Sequence, residues 1–200
     1  MIRYVDRTDF KLKTLEVSFA GMEWGDKKSE IPETTEVIVR LLSKHHDEEN
    51  IPYTESWITK YTDVCVPTGV WNGIKLCQLT DDKIYVALGS AIFRLHLNSG
   101  ANIWSKSFAD TPIQKMALSQ SKDALYIMYS SYKFDIDKLT NLIKIDLDGK
   151  FMWSAKTKIP GDGFTGFYYY NNSLVAFTWD GWRLKLDETT GEILEEDWFK

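Results

Sequence analysis

The chain has 200 residues, with 29 acidic and 24 basic side chains and a formal net charge of −5. Binding to a polyanion needs a Lys/Arg-rich face, so this balance argues against nucleic acid as a partner and suits solubility or a basic protein. Aromatic residues are 14% of the chain and eight residues are tryptophan, so a few bulky side chains can cover much of a sizeable core. Met1-Ile2-Arg3-Tyr4-Val5-Asp6-Arg7 has no apolar h-region of a signal peptide. No run approaches the ~18 apolar residues of a spanning helix, and the expectation is a cytoplasmic chain that leaves membranes alone.

In chain order, the first 65 residues are the least regular. Alternation from Leu12 to Phe19 and from Glu36 to Leu41 predicts strands, and Ser56-Trp57-Ile58-Thr59-Lys60 resembles Ile103-Trp104-Ser105-Lys106, 47 residues later. Together these predict a degenerate four-stranded unit over 1–65, with an insert from Ser43 to Pro52. Thr35 to His46 also admits a helix, because Val37, Val39, Leu41 and Leu42 fit neither periodicity cleanly. Cys65 and Cys77 stand apart among apolar, strand-like residues and are expected as buried, reduced thiols.

From residue 71 the pattern is regular. Ile74 to Leu79 and Ile84 to Leu88 read as strands joined by Thr80-Asp81-Asp82, and Ala91 to Leu97 leads through Asn98-Ser99-Gly100 to Trp104. Ile113 to Leu118 and Ala124 to Tyr129 repeat the pair around Ser119 to Asp123, and Leu142 to Leu147 leads through Asp148-Gly149 to Trp153. Phe164 to Tyr170 and Leu174 to Thr178 repeat it around Asn171-Asn172, and Trp182 to Leu186 leads through Asp187 to Gly191 into Ile193-Leu194. Gly100, Gly149 and Gly191 are 49 and 42 residues apart, the roughly 40–50-residue period of a four-stranded propeller blade. The predicted fold is all-β: one domain over 1–200, a small β-propeller of about four four-stranded antiparallel blades. Its degenerate first blade covers 1–65 and its regular blades 71–108, 113–157 and 164–199. Trp104 and Trp153 are expected at matching, largely buried places.

The cassettes resemble the PQQ-like repeats of quinoprotein dehydrogenases and of outer-membrane assembly lipoprotein propellers, whose motif runs apolar-x-Leu-Asp-x-x-Thr-Gly-x-x-x-Trp. Leu184-Lys185-Leu186-Asp187-Glu188-Thr189-Thr190-Gly191 carries most of it but puts Leu194 or a later residue where Trp is expected. Leu95 to Gly100 with Trp104 keeps the Gly-to-Trp spacing with a shorter turn, and Asp146 to Gly149 with Trp153 keeps it with an Asp-Gly turn. The resemblance implies the propeller fold. It does not imply a quinone cofactor, because the quinoprotein cofactor rests on adjacent cysteines beside a metal, whereas Cys65 and Cys77 are isolated. Asp146 to Trp153 also echoes the sialidase Asp-box, once, and hairpin chemistry accounts for that turn.

Candidate chemistry is sparse. His45-His46 with Asp47-Glu48-Glu49 reads as a solvated polar loop, and His96 as an outward strand residue opposite Leu95 and Leu97. Asp148-Gly149 and Asp180-Gly181 read as turns, since one or two carboxylates cannot supply the ~6–8 oxygens calcium takes. No Gly-x-Ser-x-Gly elbow, phosphate-binding glycine loop or Cys-x-x-Cys pair is present, so no catalysis, metal or cofactor is expected. Two segments exceed what scaffolding needs. The insert Ser130 to Thr140 mixes Tyr132 and Phe134 with Asp135 and Asp137, and propeller topology sets it beside Asp162 in Pro160 to Gly163, making that face a candidate partner surface. The run Glu192 to Asp197, with Glu195 and Glu196, either discourages edge pairing or docks a basic protein. These features predict a non-enzymatic, protein-binding propeller, most concretely a bacterial immunity protein that neutralises a basic toxin. The alternatives are a general scaffold, or a lectin-like module that stacks ligands on Trp179, Trp182 and Tyr168 to Tyr170.

Overall fold

In the computed structural model the described residues are 4–10, 13–20, 36–43, 54–61, 77–80, 82–130, 140–159 and 161–199. They form sixteen strands grouped as four antiparallel sheets of four. The chain divides into two compact units, residues 1–108 and 109–200.

In the first unit, β1 (Tyr4–Phe10), β2 (Lys13–Ala20), β3 (Glu36–Ser43) and β4 (Thr54–Tyr61) pair in sequence order. Of the segment that also admitted a helix, Glu36–Ser43 is therefore a strand. Val39 and Leu41 are buried while Ile38, Arg40 and Leu42 are half-buried, a two-residue period that β-branched side chains favour on a pleated surface. The first 65 residues supply a complete sheet, and the described part of the predicted 43–52 insert is Ser43 alone. The second sheet is β5 (Cys77–Leu79), β6 (Ile84–Leu88), β7 (Ala91–Leu95) and β8 (Asn102–Ser107). Cys77 is a fully buried thiol in no disulfide, and its Sγ donates to Leu15 O at 3.9 Å; Cys65 lies outside the described residues.

In the second unit, β9 (Ile113–Leu118), β10 (Ala124–Tyr129), β11 (Leu142–Asp146) and β12 (Phe151–Ser154) form one sheet. The other is β13 (Phe164–Tyr170), β14 (Ser173–Thr178), β15 (Trp182–Leu186) and β16 (Ile193–Trp198). The tight β13–β14 hairpin is set by Asn171 and Asn172, both at positive φ, 47° and 60°; two successive left-handed residues give the primed turn whose twist suits a hairpin. The second strands β6 and β10 are buried along their whole length, which is why they read as continuous apolar runs. Between the two sheets Tyr126, Trp153, Phe164, Phe167, Leu174 and Leu184 pack in one cluster.

One register repeats in every sheet. Between third and fourth strands the pairs Leu41↔Trp57, Arg94↔Trp104, Lys144↔Trp153 and Lys185↔Glu195 are each followed by a one-residue bulge. Glu195 therefore holds the place the repeat gives to Trp, and it faces Lys185 at 2.7 Å in an ion pair. Upstream, the His96-to-Gly100 turn has the same length as the one from Asp187 to Gly191: Gly100 N donates to His96 O and Gly191 N to Asp187 O, both at 2.8 Å. The shorter first turn expected from the motif is thus corrected. His96 is also not a strand residue. It follows β7, exposed, and its Nδ1 accepts Asn98 N–H at 3.3 Å, as Asp187 Oδ1 accepts Thr189 and Thr190 N–H at 2.7 and 2.9 Å.

Each long turn receives a tryptophan from the preceding sheet. Trp57 Nε1 donates to Leu97 O at 2.8 Å and Trp153 Nε1 to Glu188 O at 3.1 Å. Their six-membered rings lie over Gly100 and Gly191, where an added Cβ would come within 2.5 and 2.7 Å of the indole. Both glycines also have positive φ, +67° and +75°, which L side chains adopt at a cost. Trp153 is buried at 6% exposure. Trp104 shares its register but is only half-buried, and its Nε1 takes no hydrogen bond, which corrects the expectation of equal burial.

Gly191→Ala should therefore destabilise the chain by roughly 2–5 kcal/mol, combining left-handed backbone strain with overpacking against Trp153. Trp153→Ala should cost about 3–5 kcal/mol and Trp104→Ala distinctly less. Urea unfolding midpoints at constant m-value check the order, and an equal cost for the two tryptophans would refute it.

Candidate functional site

The chain's unusual polar chemistry gathers at one end of the second unit, where β9 and β13 begin and β10 and β14 finish. Ser130 N donates to Pro112 O at 2.8 Å and Trp179 N to Gly163 O at 3.1 Å. The residue leaving each second strand is thus tied to the residue before each first strand. The same bonds make Thr111 and Asp162 equivalent, each two residues ahead of a buried apolar strand start, Ile113 and Phe164. Both are 7% exposed. Asp162 Oδ1 accepts Gly163 N–H at 2.8 Å, while Asp162 Oδ2 and Thr111 Oγ1 are buried without a hydrogen-bond partner among the described residues.

Asn141 ties this end together. Its Nδ2 donates to Tyr129 O at 2.9 Å and to Phe164 O at 2.8 Å, and its Oδ1 accepts Phe164 N–H at 2.7 Å, so one amide satisfies three backbone groups of two sheets. Thr140 Oγ1 donates to Ala155 O beside it. Buried Thr178 accepts Trp182 N–H on its Oγ1 at 3.3 Å. Trp179 stands at the rim, 66% exposed.

Of the residues expected at a partner surface, Asp162 is at this end, in the buried shelf. Tyr132, Phe134, Asp135 and Asp137 lie outside the described residues, as do His45 and His46. Glu195 and Glu196 sit on β16, and both are ion-paired. Lys185 meets Glu195 at 2.7 Å, Lys158 meets Glu196 at 2.5 Å, and Arg183 meets Asp197 at 2.6 Å. Lys158 Nζ also lies 3.8 Å above the Trp182 ring. The acidic run on β16 thus has a cation from its own chain for three of its carboxylates. Among the aromatics suggested for stacking, Tyr168 and Tyr170 are exposed and in edge contact at 6.5 Å between centroids. Tyr168 also stacks on Phe177 at 5.2 Å.

The most strongly perturbed ionisable groups lie elsewhere, in the contact between the two sheets of this unit. Tyr126 and Tyr169 both donate to Glu188 Oε2 at 2.7 Å, while Glu188 O accepts Lys144 Nζ at 2.6 Å along with Trp153 Nε1. Burial foremost, with the Glu188 carboxylate adding, drives the Tyr126 phenol far above its ordinary value and pushes Tyr169 up to about 12. Both remain hydroxyl donors at neutral pH, holding the turn to the preceding sheet. Lys115 is lowered by burial, and its ammonium donates to Phe167 O at 2.7 Å. Among the described residues no group of three or more His, Cys, Asp or Glu could hold a metal ion, and no helix is long and apolar enough to cross a membrane.

Thr111, Asn141 and Glu188 were not picked out from the sequence. For Thr111 a signal was present: Asp110-Thr111-Pro112-Ile113 aligns with Gly161-Asp162-Gly163-Phe164 ahead of equivalent strands. Asn141 and Glu188 matter through contacts 23 and 62 residues away in sequence, which no local pattern encodes.

No protein-family model and no curated protein matches the chain. Among solved structures it is similar to the computationally designed Ika8 protein, with TM-score 0.55 and 9% identity over 96% of this chain and 61% of that one. It is also similar to the β-propeller domain of Cps50 (Swd1) from Myceliophteria thermophila, with TM-score 0.51 and 8% identity over 94% of this chain and 70% of that one. BamB from Moraxella catarrhalis aligns at 14% identity and TM-score 0.49 over 93% of this chain and 58% of that one. The chain thus spans about three-fifths of the length of Ika8 and of BamB. Its fold class is that of a β-propeller, with four four-stranded antiparallel blades.

Two outcomes are expected. Asn141→Ala strands three buried backbone groups and should cost at least about 2–3 kcal/mol, since each unsatisfied group carries roughly 1–3; urea unfolding measures it. A phenol whose folded pKa lies above its unfolded value contributes stability that is complete below the unfolded pKa and lost above it. Stability should therefore fall as pH rises from 10.0 towards about 12, and Tyr169→Phe should flatten that fall in melts taken across the range.

Proposed function

We propose that this chain is a protein-binding propeller built of PQQ-like repeats, with no catalytic chemistry of its own, and that its partner docks on the loop end around Trp179 and Asp162. The observation that carries this is Trp179: a large indole, two-thirds exposed, fixed by its backbone to Gly163 beside a buried polar shelf. Exposed aromatic anchors next to desolvated polar groups are what interface hot spots are made of. A non-enzymatic role is supported by how the perturbed groups are used: Tyr126, Tyr169, Lys115 and Asp187 are all engaged in turns and blade contacts. The pairing of the β16 acids with cations of the same chain favours the loop end over that edge as the docking surface.

In its most specific form the proposal is a cytoplasmic bacterial immunity protein that neutralises a basic toxin, supported by the net charge of −5. A toxic open reading frame next to this chain's gene supplies the test. Co-expression should rescue growth, the purified pair should bind, and the association rate should fall as salt rises. Trp179→Ala should weaken binding by about 30-fold or more, the loss of a hot spot worth ~2 kcal/mol, mainly through the off-rate. Unchanged affinity in that variant would move the docking surface elsewhere. The exposed Tyr168–Tyr170 pair on Phe177 favours a second reading, a lectin-like surface; a glycan array that lights up with the parent and goes dark with Tyr170→Ala would select it.

A further inference from the structure

Asp162 carries an unfilled buried acceptor, and Thr111 is its counterpart in the preceding blade. They hold the same place in successive blades, each is nine-tenths buried, and each keeps one oxygen unbonded. The Asp162 carboxylate is held in place through Oδ1 on Gly163 N–H, and it makes no ion pair among the described residues. Buried polar atoms are almost always satisfied, so orphans repeated at equivalent positions need an explanation. They also lie just under the surface. Gly161 and Asp110, one residue before each, are exposed, and a Cβ built at Gly161 would meet nothing within 4 Å.

An unfilled carboxylate oxygen shielded from water calls for a positively charged donor. A metal ion is a poor fit, since one carboxylate and one hydroxyl fall well short of the ~6–8 oxygens of calcium. We propose that Asp162 Oδ2 receives a cationic side chain, an arginine or lysine, of the protein partner. This rests on the protein-binding reading above and gives it a chemistry: the partner inserts a positive side chain beside Trp179.

The test uses the full chain and three small probes, N-acetyl-arginine amide, N-acetyl-lysine amide and the uncharged N-acetyl-citrulline amide, with the Gly163 backbone amide as NMR reporter because its N–H bonds Asp162. The two cations should shift that resonance saturably and citrulline should not. Asp162→Asn should weaken the cations at least about tenfold, roughly the share of a charged hydrogen bond. The free Asp162→Asn chain should melt no lower than its parent, since the amide keeps the Oδ1 acceptor and removes an uncompensated buried charge. Equal shifts with citrulline, undiminished binding to Asp162→Asn, or a lower melting temperature for it would each overturn the proposal. With the protein partner in place of the probes, a loss on Trp179→Ala but not on Asp162→Asn refutes the cation anchor and keeps the docking surface. Probe binding that depends on Asp162, in a chain that binds no toxin protein, supports the anchor and refutes the immunity reading.

Discussion

An indole laid over a glycine is the contact on which the other features of this chain depend. Trp57 on Gly100 and Trp153 on Gly191 each combine three requirements. The glycine must lack a Cβ, its φ must be positive to close the turn, and the tryptophan must reach a carbonyl of that same turn with Nε1. The one-residue bulge before each fourth-strand tryptophan belongs to the same device, because an unbulged ladder would put that residue on the opposite face. Blade spacing, turn length and strand register are thus set together. Where the repeat has Glu195 instead, the register and bulge persist, and the cross-strand partner Lys185 turns a packing position into a surface ion pair.

The contact in the second unit is reinforced by polar groups that a purely apolar interface would lack. Glu188 gathers two tyrosine hydroxyls on its carboxylate, and a lysine and an indole N–H on its carbonyl. Leu97 stands at the corresponding turn position in the first unit, where the carbonyl alone is used. Satisfied networks of this kind specify one packing arrangement. Against that background the unsatisfied oxygens of Thr111 and Asp162 stand out. Asn141 makes three side-chain hydrogen bonds at that end of the unit, while one oxygen of Thr111 and one of Asp162 have no partner among the described residues.

Charge distribution decides how a net −5 can be used. The acids of β16 are answered by Arg183, Lys185 and Lys158 of the same unit. Exposed pairs of this sort add little stability, but they mute the local field. A segment that looks like an acidic edge in the sequence is therefore close to balanced in space, whereas the buried Asp162 has no such answer among the described residues.

Much was determined by the sequence alone. Two-residue alternation marked the strands, Asn-Asn and Asp-Gly marked hairpin turns, and the 49- and 42-residue spacing of Gly100, Gly149 and Gly191 marked the blades. Those signals are local, since they arise from backbone preferences and from which face of one strand is apolar. Tertiary structure alone decided the rest. His96 does the work of an aspartate because an imidazole nitrogen can accept the same backbone N–H, an equivalence of geometry that residue type conceals. Glu195 replaces a tryptophan at a place found only by counting through a bulge, and the strand character of 36–43 was settled by partners on β2 and β4. The polar shelf at Thr111, Asn141 and Asp162 exists only where strand starts from two blades meet, because burial and hydrogen-bond satisfaction are properties of neighbours brought together by the fold.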